Sequence, residues 1–117
     1  MIVDDIVRVD YLDTTVQPDI QYSVMNYATL GLSISGTLTT GTFTVEGTQD
    51  GVEWQELPIV QGNVMLPNNE IVNTGSYVID VTNYTLARLI PDTFTGSVLV
   101  TANQSTRPFI TGVVMGG

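Results

Sequence analysis

Residues 42–57 read TFTVEGTQDGVEWQEL, and their alternation decides the fold class. Phe43 and Val45 alternate with Thr42, Thr44 and Glu46. A period of two sends successive side chains to opposite faces of a sheet. Asp50-Gly51 then interrupts the run. Glycine accepts the positive φ that a tight hairpin turn requires, so this pair is a strong hairpin signal. Val52 and Trp54 resume the alternation with Glu53 and Gln55, which predicts that both face inward and that Trp54 is a core residue.

The same period extends outward in both directions. Leu30, Leu32, Ile34 and Leu38 alternate with Thr29, Gly31, Ser33, Ser35 and Thr37. Tyr77, Ile79 and Val81 alternate with Val78 and Asp80, and Val98, Val100 and Ala102 with Ser97, Leu99 and Thr101. Thr40-Gly41 is expected to separate two strands, Pro67-Asn68-Asn69 and Asn73-Thr74-Gly75 to bracket a loop, and Pro91-Asp92 and Thr95-Gly96 to frame the turn before the last core strand. No stretch carries the helical period with good helix formers. Short strands at regular spacing predict an all-β fold, an antiparallel, jelly-roll-like β-sandwich with extended terminal segments.

Three segments follow from this pattern: an N-terminal extended segment or arm over 1–26, a β-sandwich core over 27–102, and a C-terminal strand or arm over 103–117. The first mixes apolar residues with Asp4, Asp5, Asp10, Asp13 and Asp19. The last ends FITGVVMGG, which is too apolar for a solvated linker. No internal repeat is evident in the sequence.

A length of 117 residues fits one domain, and 43% hydrophobic residues can fill its core. Charged residues make up 13%, against about a quarter in an average soluble chain. Threonine takes their place: Thr37, Thr39, Thr40, Thr42, Thr44 and Thr48 fall close together, and its β-branched side chain suits a half-wet pleated surface. The net charge is −9, with Arg8, Arg88 and Arg107 as the only cations. Phosphate recognition needs clustered Lys and Arg, so nucleic acid and anionic membrane surfaces are excluded as expected partners. The acidity keeps the chain soluble and slows self-association, or else matches a basic partner surface. There is no cysteine, hence no disulfide framework. The first residues lack the features of a signal peptide and no apolar run reaches the roughly 20 residues of a membrane span, which predicts a protein made in a cytoplasm and not exported.

Catalytic side chains are scarce. Without histidine, cysteine or lysine, Ser-His-Asp and Cys-His nucleophiles and Schiff-base lysines are excluded, and zinc loses its usual ligands. A carboxylate pair of the glycosidase kind is what remains, drawn from Glu46, Asp50, Glu53 and Glu56, with Glu46 and Glu53 facing each other across the hairpin. Carboxylates flanking a turn are ordinarily just solvated, so the chain is expected not to be an enzyme. Asp4, Asp5, Asp10 and Asp13, or the Asp50 turn, offer hard oxygens for calcium but match no EF-hand spacing, and neither a metal nor a cofactor is expected. An interface is expected instead. Tyrosine is enriched at interfaces, and Tyr11, Tyr22 and Tyr27 lie in the N-terminal segment. Arg8 and Arg107 sit in the two terminal segments, placed to pair across subunits, and Phe109 opens the apolar tail. Arg88, among apolar neighbours, is expected either to snorkel at a sheet face or to pair with a carboxylate, Asp80 on the preceding strand being one candidate.

The hairpin also resembles a recurrent pattern of discoidin-like and galactose-binding-like jelly rolls, where a strand ends in V-x-G-S-x-D-G and is followed by W and then L. The matching residues are Val45, Gly47, Thr48, Asp50, Gly51, Trp54 and Leu57. Residues 76–102 look like the companion strands. Such a pairing in a short chain is similar to small structural proteins of tailed bacteriophages. The resemblance implies a virion component, foremost a capsid decoration (cement) protein that binds and stabilises the phage head. It also implies a major capsid protein or other virion protein as partner, and a homo-oligomer, with a trimer favoured. The alternative is a carbohydrate-binding module or a tail or fibre accessory protein that contacts host surface glycans.

Overall fold

The structure, a computed structural model, describes residues 5–107. Eight strands form one antiparallel sheet: β1 (Ile6–Asp13), β2 (Ile20–Ser23), β3 (Thr29–Thr48), β4 (Gln55–Glu56), β5 (Val60–Gln61), β6 (Val64–Met65), β7 (Gly75–Asp80) and β8 (Leu86–Ser105). A single 3₁₀ turn, Pro67–Asn69, is the helical element among the described residues. The chain is thus all-β and antiparallel, as the alternation predicts.

β3 and β8 are each 20 residues long and pair along their whole length. The chain does not stop at Thr40-Gly41 or at Pro91-Asp92, where the sequence predicts breaks. It bends there instead. Between Leu38 and Thr40 the partner advances only from Gly96 to Thr95; between Thr40 and Thr42 it advances from Thr95 to Asp92. The two slips cancel, so the register beyond the corner equals that before it. Each bulge also switches which residues face the core. β3 buries Leu30, Leu32 and Ile34 before the corner and Phe43 and Val45 after it; β8 buries Ala87 and Leu89, then Val98, Val100 and Ala102. One half of this ribbon carries β1 and β7, and β7 is followed by β5 and β6; the other half carries β2 and β4. Two layers result, closed over a core that includes Tyr22, Phe43, Phe94 and Ile79. Phe43 and Phe94 meet at the corner with ring centroids 5.1 Å apart.

Bulged residues lose ladder partners, and buried backbone groups must find others. The connection from β1 to β2 supplies them. The Gln17 amide donates to the Phe94 carbonyl at 2.5 Å and accepts from the Phe94 N–H at 3.2 Å. The Thr14 hydroxyl accepts from the Gly96 N–H at 2.9 Å and donates to its carbonyl at 3.3 Å. Residues 6–13 and 20–23 thus contribute two strands to the sheet, with Leu12, Ile20, Tyr22 and Val24 in the core.

The two halves of the chain repeat. Val24-Met25-Asn26-Tyr27 and Val81-Thr82-Asn83-Tyr84 share V-x-N-Y at an offset of 57 (81 minus 24). Asn26 and Asn83 both adopt φ 72°. The Tyr27 N–H donates to the Val24 carbonyl and the Tyr84 N–H to that of Val81. The Ala28 N–H reaches Ser105 and the Thr85 N–H reaches Thr48, both at 2.8 Å. The same offset carries the limits of β3 onto those of β8. Beyond this short V-x-N-Y signature the repeat is hidden in the sequence, because backbone roles are kept while side chains change, as in Leu30 and Ala87 or Phe43 and Val100.

Two aspartates close turns. Asp50 Oδ1 accepts from the Val52 and Glu53 N–H groups at 2.8 and 2.9 Å and from the Thr48 hydroxyl at 3.1 Å. Asp13 Oδ1 accepts from the Thr15 hydroxyl and N–H at 2.7 and 2.8 Å and from the Val16 N–H at 2.9 Å. These donors hold both carboxyls below the ordinary aspartate value of 3.8, through the Glu53 amide foremost at Asp50 and the Thr15 hydroxyl foremost at Asp13.

At the corner, a Cβ on Gly96 (φ 124°) would lie 2.0 Å from the Thr37 carbonyl oxygen. Gly96→Ala is therefore expected to lower stability in urea unfolding by about 2 kcal/mol or more. Gln17→Ala, which orphans the Phe94 backbone, is expected to cost about 1–3 kcal/mol. Unchanged midpoints would remove the corner as the constraint. The aspartate turns give a pH signature. A depressed folded pKa adds stability that is present above the ordinary carboxylate value and is lost as pH falls through the lower folded value. Carboxyl NMR titration is expected to place Asp13 and Asp50 below the ordinary value, with their turns loosening only at more acidic pH.

Candidate functional site

Register builds the first candidate surface. β2, β8, β3 and β4 set Gln21, Arg88, Glu46 and Glu56 side by side across the outer face of their layer. Arg88 Nε and Nη2 both reach Glu46 Oε1, at 2.9 and 2.5 Å. Glu46, not Asp80, is thus its partner, because the cancelled bulges put residues 46 and 88 directly opposite. Asp80 instead accepts from the Thr82 N–H.

Trp54 covers this ion pair. The Arg88 guanidinium lies 4.0 Å from its ring centroid, a stacked cation–π contact. Trp54 is half-buried on the outer face, and Val52 is 79% exposed, so neither is the core residue that alternation predicts. The reason is loop length. β3 ends at Thr48 and the returning strand begins only at Gln55, so the Asp50 turn re-phases the chain. Leu57, buried, resumes the inward positions, with its N–H on the Val45 carbonyl. The result is an aromatic, a cation and carboxylates on one accessible surface, a composition suited to recognition.

The acidic clusters do not converge. Glu46 faces Glu56 across the strands and is committed to Arg88, while Glu53 lies in the loop. Arg8 Nε pairs with Asp10 at 2.8 Å and Arg107 with Asp5 at 3.4 Å. Among the described residues no three Asp or Glu side chains gather as a metal site; Asp4 lies outside them.

The second candidate surface is β1, the end strand of the sheet. Its outward row, Val7, Val9 and Tyr11, is 64, 58 and 56% exposed and adjoins exposed Leu99 on β8. The inward row is Arg8, Asp10 and buried Leu12. Arg8 lies 5.5 Å over the Tyr22 ring and donates to the Gln21 carbonyl. Burial first, then the Asp10 charge, raises the Tyr22 phenol well above its ordinary value.

The sequence-predicted interface residues therefore separate. Arg8 and Tyr11 stand on β1, on opposite faces. Tyr22 and Tyr27 are buried, at 1 and 8% exposure, and so are not surface anchors. Arg107 is exposed and pairs with Asp5 within the chain. Phe109 lies outside the described residues. Sequence reading missed Val7 and Val9, although V-x-V-x-Y alternates in plain view, and missed Trp54 as a surface residue. The paired V-x-N-Y turns frame a further shallow cleft of about 410 Å³ that includes Asn26, Asn83 and Tyr84.

No family model matches the chain, and no curated protein matches it. Among solved structures, the SPBc2 prophage-derived protein YomS is similar, with a TM-score of 0.69 at 17% identity, over 89% of this chain and 96% of that one. At that identity the likeness is one of fold, and it spans nearly the whole of both chains.

Proposed function

We propose that the chain is a structural protein of a bacteriophage particle, made in the host cytoplasm, that acts by binding rather than by catalysis. The observation that carries this reading is the fold shared with a prophage-derived protein over 89% of the chain. Within that reading its role is head decoration: it binds the major capsid protein or another virion protein, stabilises the shell, and does so as a homo-oligomer. The contact to the partner is the outer surface around Trp54, Arg88 and Glu46. Trp and Arg dominate the energetics of protein interfaces, and here the indole and guanidinium are already stacked, so little order is lost on binding. The net charge of −9 without lysine favours a protein partner over nucleic acid or an anionic bilayer.

A second reading draws on the same indole. Trp54 lies next to Glu53 and Gln55, both exposed, which is the pairing of an aromatic platform with polar groups that sugars use. Arg88 stacks over the ring, and in this reading the exposed part of the half-buried indole is what a glycan of the host surface contacts.

Mixing the purified chain with expanded heads, and separately with tails, from the particle-forming genome that encodes it separates the readings. Saturable binding to heads at fixed stoichiometry is expected, and Trp54→Ala is expected to weaken it about tenfold or more with the thermal melt unchanged. Binding to tails alone would move the role to a tail or fibre accessory. Glycan-array binding abolished by the same substitution, with no binding to particles, would select the sugar reading.

A further inference from the structure

We infer that two copies of the chain associate through β1, as an antiparallel β1–β1 pair centred on Val9, so that one continuous sheet crosses a two-fold axis. This contact is separate from the Trp54 surface and does not depend on the virion reading.

β1 is eight residues long and ends the strand order, and among the described residues its outer edge is met only at Asp13, whose N–H and carbonyl bond to Val16, so that Ile6–Leu12 have no strand on that side. A long edge offers a row of backbone donors and acceptors to another strand. Proteins that keep such edges single blunt them with proline, bulges, short strands or charged side chains, inward-pointing ones included. Ile6–Asp13 contains no proline, its register with β8 is unbroken, and its inward charges, Arg8 and Asp10, are paired with each other.

The side chains select a second copy as the occupant. Facing residues of an antiparallel pair share a face, and a one-residue slip exchanges the faces. With Val9 on the axis, Val9 meets Val9 of the second copy, and Val7 meets its Tyr11. Such aromatic and β-branched cross-strand pairs are favourable. On the other face Arg8 meets Asp10 of the second copy, and Asp10 meets its Arg8. The neighbouring symmetric registers fail on charge: centring on residue 8 sets arginine against arginine, and centring on residue 10 sets aspartate against aspartate. The paired span stops short of Asp13, whose outer backbone is already bonded to Val16; the facing Asp5 is paired with Arg107 and the Asp13 carboxylate is bound by the Thr15 and Val16 amides. The outward row of Val7, Val9 and Tyr11, each more than half exposed, thereby becomes continuous across the axis. The pairing is isologous, so it yields a dimer and not the trimer that the phage resemblance implies.

The chain has no cysteine, which makes a single introduced thiol a clean probe. The full chain is measured by sedimentation velocity over a range of concentrations at about 0.15 M salt, where long-range repulsion between the acidic copies is screened. A concentration-dependent doubling of mass is expected. Val9→Lys, which places two ammonium groups on the axis, is expected to hold the chain monomeric, with a melt equal to that of the wild type at dilute, monomeric concentration. Val9→Cys is expected to form an intermolecular disulfide under mild oxidation, and Val52→Cys, exposed at the far loop, is expected not to. Charge reversal supplies a further check: Arg8→Asp breaks the dimer, and Arg8→Asp with Asp10→Arg restores it. A monomer at every concentration, a trimer, a dimer indifferent to Val9→Lys, or equal cross-linking at residues 9 and 52 would each overturn the proposal.

Discussion

The structure depends on one constraint, the unbroken pairing of β3 with β8 through a sharp bend. A strand of 20 residues that serves two layers must change the parity of its buried side chains at the corner. It does so by taking in one extra residue. A bulge in one strand alone would shift every contact beyond it. Here each strand contributes a bulge, the shifts cancel, and the far half regains its register. Glu46 then lies opposite Arg88, and Leu30, Leu32 and Ile34 share a core with Phe43 and Val45. The orphaned backbone at the corner is satisfied by Gln17 and Thr14, which ties the N-terminal segment to the ribbon.

Much of the fold was legible because period two is a local property. Leu30, Leu32, Ile34, Phe43, Val45, Tyr77, Ile79, Val81, Val98, Val100 and Ala102 are all inward positions of the alternation, and all are buried. The breaks at Gly41 and Pro91 were misread for a physical reason. The residues that end a strand at a turn are those that bend one at a bulge, and composition does not separate the two. Gly96, where a Cβ would collide with the Thr37 carbonyl, reads as a turn residue until its partner is known.

The candidate surfaces were less legible. Trp54 moved from core to surface because loop length, set by the Asp50 turn, decides the phase of the returning strand. Arg88 took Glu46 because partners across a sheet follow register, and this register depends on two distant bulges. Tyr22 looked like an interface tyrosine and is a core residue beneath Arg8. The exposed row of β1 was present in the sequence, but alternation does not tell which strand ends the sheet.

The internal repeat makes the two halves unequal in one instructive way. By the offset of 57, the place that β1 holds beside β8 corresponds to the place of β4 beside β3. β1 runs for eight residues; β4 runs for two, and a lone bridge from Ile71 to Phe43 replaces the rest. Had both halves kept the long outer strand, each molecule would offer two such rims, and self-pairing at both would grow open chains rather than closed pairs. With β4 cut to two residues, the second half offers no comparable rim. The shortened β4 thus leaves one half of the repeat without the long outer strand that the other half carries.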